Sequence, residues 1–280
     1  MTATSSEPET RPAVGGSFHL LGREAGPARA GIRFYIGAAD ALVAALLAER
    51  GRSGTIAVCN AHMLVAAGRD PDLARALRAA DFAICDGQPV AWLLGLLTGR
   101  RVARITGPDI FSAILDGGLG RLRVALVGGD VSSLAALRDT VPEAERDNLL
   151  LVDPGRVAEG AGPDAEVVAT IAAFRPDIVF VGLGCPKQEK WMAKAVGLAP
   201  ARYIGVGAAF DYRLGHVRRA PKAMQSSGGE WLYRAVQQPR LIGRYLATGL
   251  PLLGLLIAAS ATRLRPGGGA GVPGRADLGA

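Results

Sequence analysis

Aromatic residues are scarce in this chain, at 5% of 280 residues. A base-stacking surface for nucleic acid needs aromatic side chains in series. Trp191, Trp231 and Tyr233 are too sparse to supply one. Ala, Leu and Val must therefore fill the core, and a hydrophobic content of 49% is ample for one large domain with an appendage. Cysteine is also scarce: Cys59, Cys85 and Cys185 form no CxxC and share no Cys/His ligand spacing. That argues against a zinc site or a disulfide frame and suits reduced thiols in a cytosolic setting. The N-terminus lacks a basic start followed by an apolar stretch, which argues against a secretory signal. Residues 1–30 and 263–280, rich in Gly, Pro and small polar residues, are expected to be disordered.

Acids are nearly missing from the C-terminal part. Residues 213–280 hold ten Lys and Arg but only Glu230 and Asp277, a net of +8 in a chain of net +7. Such asymmetry points to an anionic partner, either lipid headgroups or a pyrophosphate, with nucleic acid disfavoured by the lack of aromatics. Within this part, 246–261 is almost wholly apolar and Arg244 and Arg263 flank it. Pro251 and several small residues weaken it as a membrane-spanning helix. It reads as an interfacial or re-entrant segment beside basic groups, with a core helix as the alternative.

The middle of the chain alternates two kinds of segment. Short apolar runs at 55–60, 82–86, 123–128, 177–182 and 203–207 end in Gly, Asp or Asn, as buried parallel strands do. Helical patterns at 72–80, 89–97, 108–115, 132–140, 164–174 and 186–196 lie between them. The prediction is an α/β fold: a Rossmann-like, mostly parallel sheet over 31–212 with helices on both faces, then a basic, partly apolar helical appendage over 213–262. Ligands of such sheets gather at the carboxyl ends of strands, where Asn60, Asp86, Gln188 and Asp211 fall.

Several motifs carry chemistry. Gly182-Leu183-Gly184-Cys185-Pro186-Lys187-Gln188 turns from a strand into a helix, offering backbone N–H groups and a positive dipole end to an anion. Pro186 suits the first helical turn, and Lys187 and Gln188 add donors. Asp86-Gly87 follows a buried run, so Asp86 is either a general base raised by desolvation or a cap for the next helix. Arg104 is either a diphosphate contact or a surface residue. His62 either faces the crevice or packs at the surface. Asp70-Pro71-Asp72 has the form of a cation-binding DxD, but Asp then Pro also starts a helix, and that structural role is the expected one. The Gly182 and Gly205 pairs lack the third glycine of a dinucleotide fingerprint, since Lys187 and Phe210 stand there.

Taken in order, these pieces resemble the WecG/TagA/CpsF glycosyltransferases over residues 32–246. The matching segments include 60–64, 70–73, 80–87, 104–109, 182–189, 207–211, 219–221 and 230–234. The resemblance implies inverting transfer, without a bound metal or other cofactor, of a sugar of the N-acetylmannosamine type or a related hexose. The donor would be a UDP-sugar and the acceptor a polyprenyl-pyrophosphate-linked saccharide, for cell-surface polysaccharide. It implies Asp86 as base, Asn60, Arg104 and Gln188 as supporting residues, and Arg234, Arg240 and Arg244 as appendage cations. On that basis uridine is expected near Gly128, Gly207 and Asp211, and the diphosphate near Gly184, Pro186 and Lys187. The expected location is the inner face of the cytoplasmic membrane, peripheral on its anionic surface; a homo-oligomer is compatible with it. Three departures stand out: Val58 where the family often has Thr, Gly229 where it has Leu, and Gln238 where it has Glu. The open alternatives are an NAD-dependent nucleotide-sugar oxidoreductase or epimerase, and a basic membrane adaptor without catalysis.

Overall fold

A computed structural model describes residues 17–21, 31–221, 223–224 and 228–263. Its centre is an eight-stranded sheet. In chain order the strands are β1 (Ser17–Leu21), β2 (Ile32–Ile36), β3 (Gly54–Cys59), β4 (Phe82–Cys85), β5 (Val124–Val127), β6 (Leu149–Val152), β7 (Ile178–Val181) and β8 (Arg202–Gly205). Their spatial order is β1-β2-β4-β3-β8-β7-β5-β6. All neighbours from β2 to β6 pair in parallel, and β1 adds an antiparallel edge. The five strands expected from sequence are β3, β4, β5, β7 and β8. Strand β1 falls inside 1–30, expected to be disordered, and pairs with β2 from Ser17↔Ile36 to Leu21↔Ile32. The 264–280 part of the expected C-terminal tail lies outside the described residues.

Strands β4, β5, β7 and β8 are buried at every residue, as strands covered on both faces must be. One face carries α1 (Ala39–Ala48), α5 (Gly107–Asp116), α6 (Val131–Asp139) and α9 (Ala209–Arg213). There Phe111 meets Phe180 edge-on with ring centroids 5.1 Å apart. The other face carries α2 (Ala61–Ala67), α3 (Pro71–Ala79), α4 (Gln88–Thr98), α7 (Ala165–Phe174) and α8 (Lys187–Ala195). Polar side chains cap five of these helices, each accepting an otherwise unpaired N–H of the first turn. They are Asn60, Asp70, Thr106, Asp130 and Asp164.

The chain ends in α10 (Glu230–Gln237) and α11 (Ile242–Arg263). α11 runs through Pro251 and packs on α2 and α4, with Leu256 against the core. The opposite side leaves Ile242, Leu246, Leu250, Leu253 and Ile257 exposed. Their spacing of four, four, three and four residues places them along one helical stripe. Of the expected alternatives, packing on the domain is present, and α11 also carries a bare apolar face. Among the described residues no helix is long and apolar enough to cross a membrane.

Candidate active site

Four adjacent strands, β4, β3, β8 and β7, point their carboxyl ends into one cavity of about 440 Å³. Asp86, Asn60, Gly207 and Gly184 each follow one of these strands and line it. Asn60 also caps α2. Its Oδ1 accepts the Met63 N–H at 3.1 Å, which fixes the side chain and leaves the Nδ2 hydrogens as its donors.

The Asp86 N–H donates to the Cys59 carbonyl at 3.0 Å, tying the end of β4 to the end of β3. Gly87, with φ of +106°, turns the chain away and itself occupies the cap position of α4. Asp86 is therefore not the cap residue. Burial pushes its carboxyl up to about 6, against the pull of Arg104. Arg104 is brought close by the Ile105 N–H, which donates to the Cys85 carbonyl at 2.9 Å. The Arg104 guanidinium is ion-paired with Glu230 at the start of α10.

Further cations close the site. Arg219 pairs with Asp109 at 2.5 Å, and Thr106 Oγ1 donates to the same carboxylate at 2.6 Å. The guanidiniums of Arg219 and Arg234 stand 5.9 and 5.7 Å from the centre of the Tyr212 ring. Tyr212 OH, Arg234 Nε and Arg244 Nε are buried without a hydrogen-bond partner. All three residues line the cavity. Buried donors in folded proteins are nearly always satisfied, so three that face a cavity are placed to bond to its occupant. The donor set of Arg104, Arg219, Arg234 and Arg244 suits a multiply charged anion. Thr106, Tyr212, Arg219 and Glu230 were not expected as site residues, though Thr106, Arg219 and Glu230 lie within recognisable sequence segments and Tyr212 directly follows one.

Gln188 lines the cavity, at the carboxyl end of β7 as expected, and is also tied to the backbone around it. It is 3% exposed. Its Oε1 accepts from Gly184 N at 3.1 Å and from Gly207 N at 3.2 Å. Its Nε2 donates to Glu189 Oε1 at 2.7 Å. Gln188 therefore joins the loop after β7 to the loop after β8. One backbone N–H that the glycine turn offers to a phosphate, that of Gly184, is already taken. Of the residues expected near the diphosphate, Gly184 lines the cavity and Pro186 and Lys187 do not; Gly207 and Asp211, expected near uridine, line it too. Gly128 does not line it either. A Cβ there would lie 3.0 Å from the backbone of Gly182, so its glycine serves close strand packing. The Arg240 side chain lies outside the described residues.

The carboxylates of the DxD are spent on structure. Asp70 accepts from Asp72 N and Leu73 N, both at 3.1 Å, and pairs with Lys190 at 2.5 Å. Asp72 pairs with Arg75 at 2.9 Å. Among the described residues no group of three or more His, Cys, Asp or Glu is placed to hold a metal ion.

A second cavity of about 550 Å³ lies against the first and shares Asn60, Asp86, Arg104, Glu230, Arg234 and Arg244 with it. Its remaining wall is largely apolar, with Pro89, Trp231, Leu246, Leu250 and Leu253. His62 lines this second cavity and not the first. Its Nδ1 lies 3.2 Å from Thr248 Oγ1, whose own proton goes to the Arg244 carbonyl at 2.7 Å. The imidazole is therefore the donor, and burial, then Arg244, lowers its pKa.

Val58 also lines the first cavity, so the departure at that position puts a methyl group where a hydroxyl would stand. Residues 29–266, well over half of the chain, match the family model described as Glycosyl transferase WecG/TagA/CpsF family.

Proposed function

The chain belongs to the WecG/TagA/CpsF glycosyltransferases of cell-surface polysaccharide synthesis, and from that premise we propose the donor, the acceptor and the mechanism. The donor is a UDP-sugar and the acceptor a saccharide on polyprenyl pyrophosphate. Transfer inverts the anomeric centre and needs no metal. The observation that carries this reading is the position of Asp86, in the wall common to a cavity rich in arginine and a cavity with an apolar side.

The UDP-sugar occupies the first cavity, where the arginines face its diphosphate. The acceptor enters by the second, whose apolar wall suits the first units of a polyprenyl chain. Asp86 then meets both reactants. Its carboxylate takes the proton of the acceptor hydroxyl as that oxygen bonds to the anomeric carbon. The bond from that carbon to the UDP oxygen breaks, and its electron pair leaves with UDP. A carboxyl at about 6 is deprotonated near neutral pH yet more basic than an ordinary aspartate, which suits a general base. Arg104, Arg234 and Arg244 stabilise the charge developing on UDP.

The bare stripe of α11 supports membrane contact. Such a stripe beside basic residues lies in the boundary between headgroups and acyl chains. Docked in this way on the inner face of the cytoplasmic membrane, the protein meets its acceptor without extracting the lipid.

Calorimetry with UDP, followed by NMR of the glycoside formed from a UDP-sugar panel, tests the reading. Binding of UDP and a product of inverted anomeric configuration are expected. A retained configuration, or absence of UDP binding, would contradict it.

A further inference from the structure

Glu189 lies beneath the first cavity, 3% exposed and outside its lining. A buried carboxylate costs free energy unless something uses it. Burial pushes this one up to about 7. Its Oε1 accepts from Gln188 Nε2 at 2.7 Å, between two side chains both removed from water.

That contact settles which way the Gln188 amide faces. A carboxylate oxygen accepts and does not donate, so it selects the NH2 end of the amide. The carbonyl end is then turned to the N–H groups of Gly184 and Gly207. With the amide reversed, an NH2 group would face two N–H donors and a carbonyl would face a carboxylate. All three contacts would be lost together. The sequence also makes room for this arrangement. A Cβ on Gly205 would lie 2.8 Å from Gln188 Nε2 and 3.0 Å from Met192 Cε.

We propose that Glu189 is a positioning residue of the donor site: through Gln188 it fixes the spacing of the loops after β7 and β8, which form a wall of the cavity assigned to the UDP-sugar. The role in donor binding rests on the function proposed above. The clamp itself does not, because Gly184 and Gly207 both report it directly. Glu189 touches neither reactant, and no proton transfer is assigned to it.

Two substitutions separate positioning from simple support. Glu189→Met keeps the volume and removes the acceptor. Glu189→Gln keeps both, since its own carbonyl can accept from Gln188. The first readout is amide hydrogen exchange at Gly184 and Gly207. Exchange is expected to quicken at least tenfold in Glu189→Met and to stay near wild type in Glu189→Gln. The second is calorimetry with UDP, where Glu189→Met should bind about tenfold more weakly and Glu189→Gln within about twofold of wild type. Unchanged exchange in Glu189→Met would overturn the clamp whether or not UDP binds. Equal loss in both variants would also overturn it, as the carboxylate's charge would then matter rather than its acceptor. If exchange responds as expected but wild type does not bind UDP, the clamp stands and the donor reading falls.

Discussion

Glu230, in the first turn of α10, is ion-paired with Arg104, which precedes the first residue of α5 by three positions. Both side chains are mostly buried, at 17% and 15% exposure. The pair carries the C-terminal helices into the electrostatic field of Asp86. Glu230 raises the Asp86 pKa and Arg104 lowers it, both as smaller influences than burial.

Glu230→Gln removes the raising charge and keeps the lowering one. The Asp86 carboxyl should then titrate below its present value of about 6. The acid limb of the turnover profile is expected to shift to lower pH by a few tenths of a unit or more. A limb at the wild-type pH would show that Glu230 does not act on the base.

Asp86 should cost stability where it is useful. Its folded pKa of about 6 exceeds the ordinary value of 3.8. Its favourable contribution is present below pH 3.8 and is lost as pH rises through about 6. Asp86→Asn is therefore expected to be more stable than wild type at pH 7.5, by on the order of 2 kcal/mol, with the gap closing toward pH 4. Denaturant melts at the two pH values check this.

Membrane contact is best tested at residues that line neither cavity. Val236 and Ile257 are 76% and 60% exposed. The double substitution Val236→Glu, Ile257→Glu is expected to lower partition into anionic vesicles at least tenfold, as two apolar contacts are replaced by charges the lipid repels. Turnover with a short-chain, water-soluble acceptor should change little. Removing everything after Tyr245 is a poorer test, because it also strips the packed face of α11 from α2 and α4.

Asp70 should matter for stability and not for chemistry. Asp70→Ala loses a helix cap and the Lys190 pair, a cost of about 1–2 kcal/mol. Turnover of both proteins is expected to persist in EDTA. A chelator-sensitive rate in wild type would point to a cation at this or another site.

The sequence is legible where signals are local. The runs that became β3, β4, β5, β7 and β8 are continuous and apolar, and each ends in a turn residue, so strand ends and the residues on them could be named. Asn60 and Asp86 followed from that, and Arg104 from the segment 104–109 that opens the next helix. Other elements lacked such signals. β2 carries Arg33 and Tyr35 within five residues, and β6 is a four-residue leucine-rich run that fits either a strand or a helix. Long-range pairs left no local trace at all. Glu230 meets Arg104 across 126 residues, and Gln188 reaches Gly207 across 19. For that reason the sequence shows Gln188 as a cavity residue but not the tie it makes between the two loops. Gly128 read as a binding glycine and stands outside the cavity lining, close against the backbone of Gly182.

The central claim is that Asp86 is the base between the two reactants. Steady-state transfer by Asp86→Asn, with the working UDP-sugar and a polyprenyl-pyrophosphate-linked acceptor, tests it most directly. The account predicts a kcat about 100- to 10,000-fold below wild type, with UDP affinity kept within a few-fold. Near-normal turnover by the folded variant would contradict it.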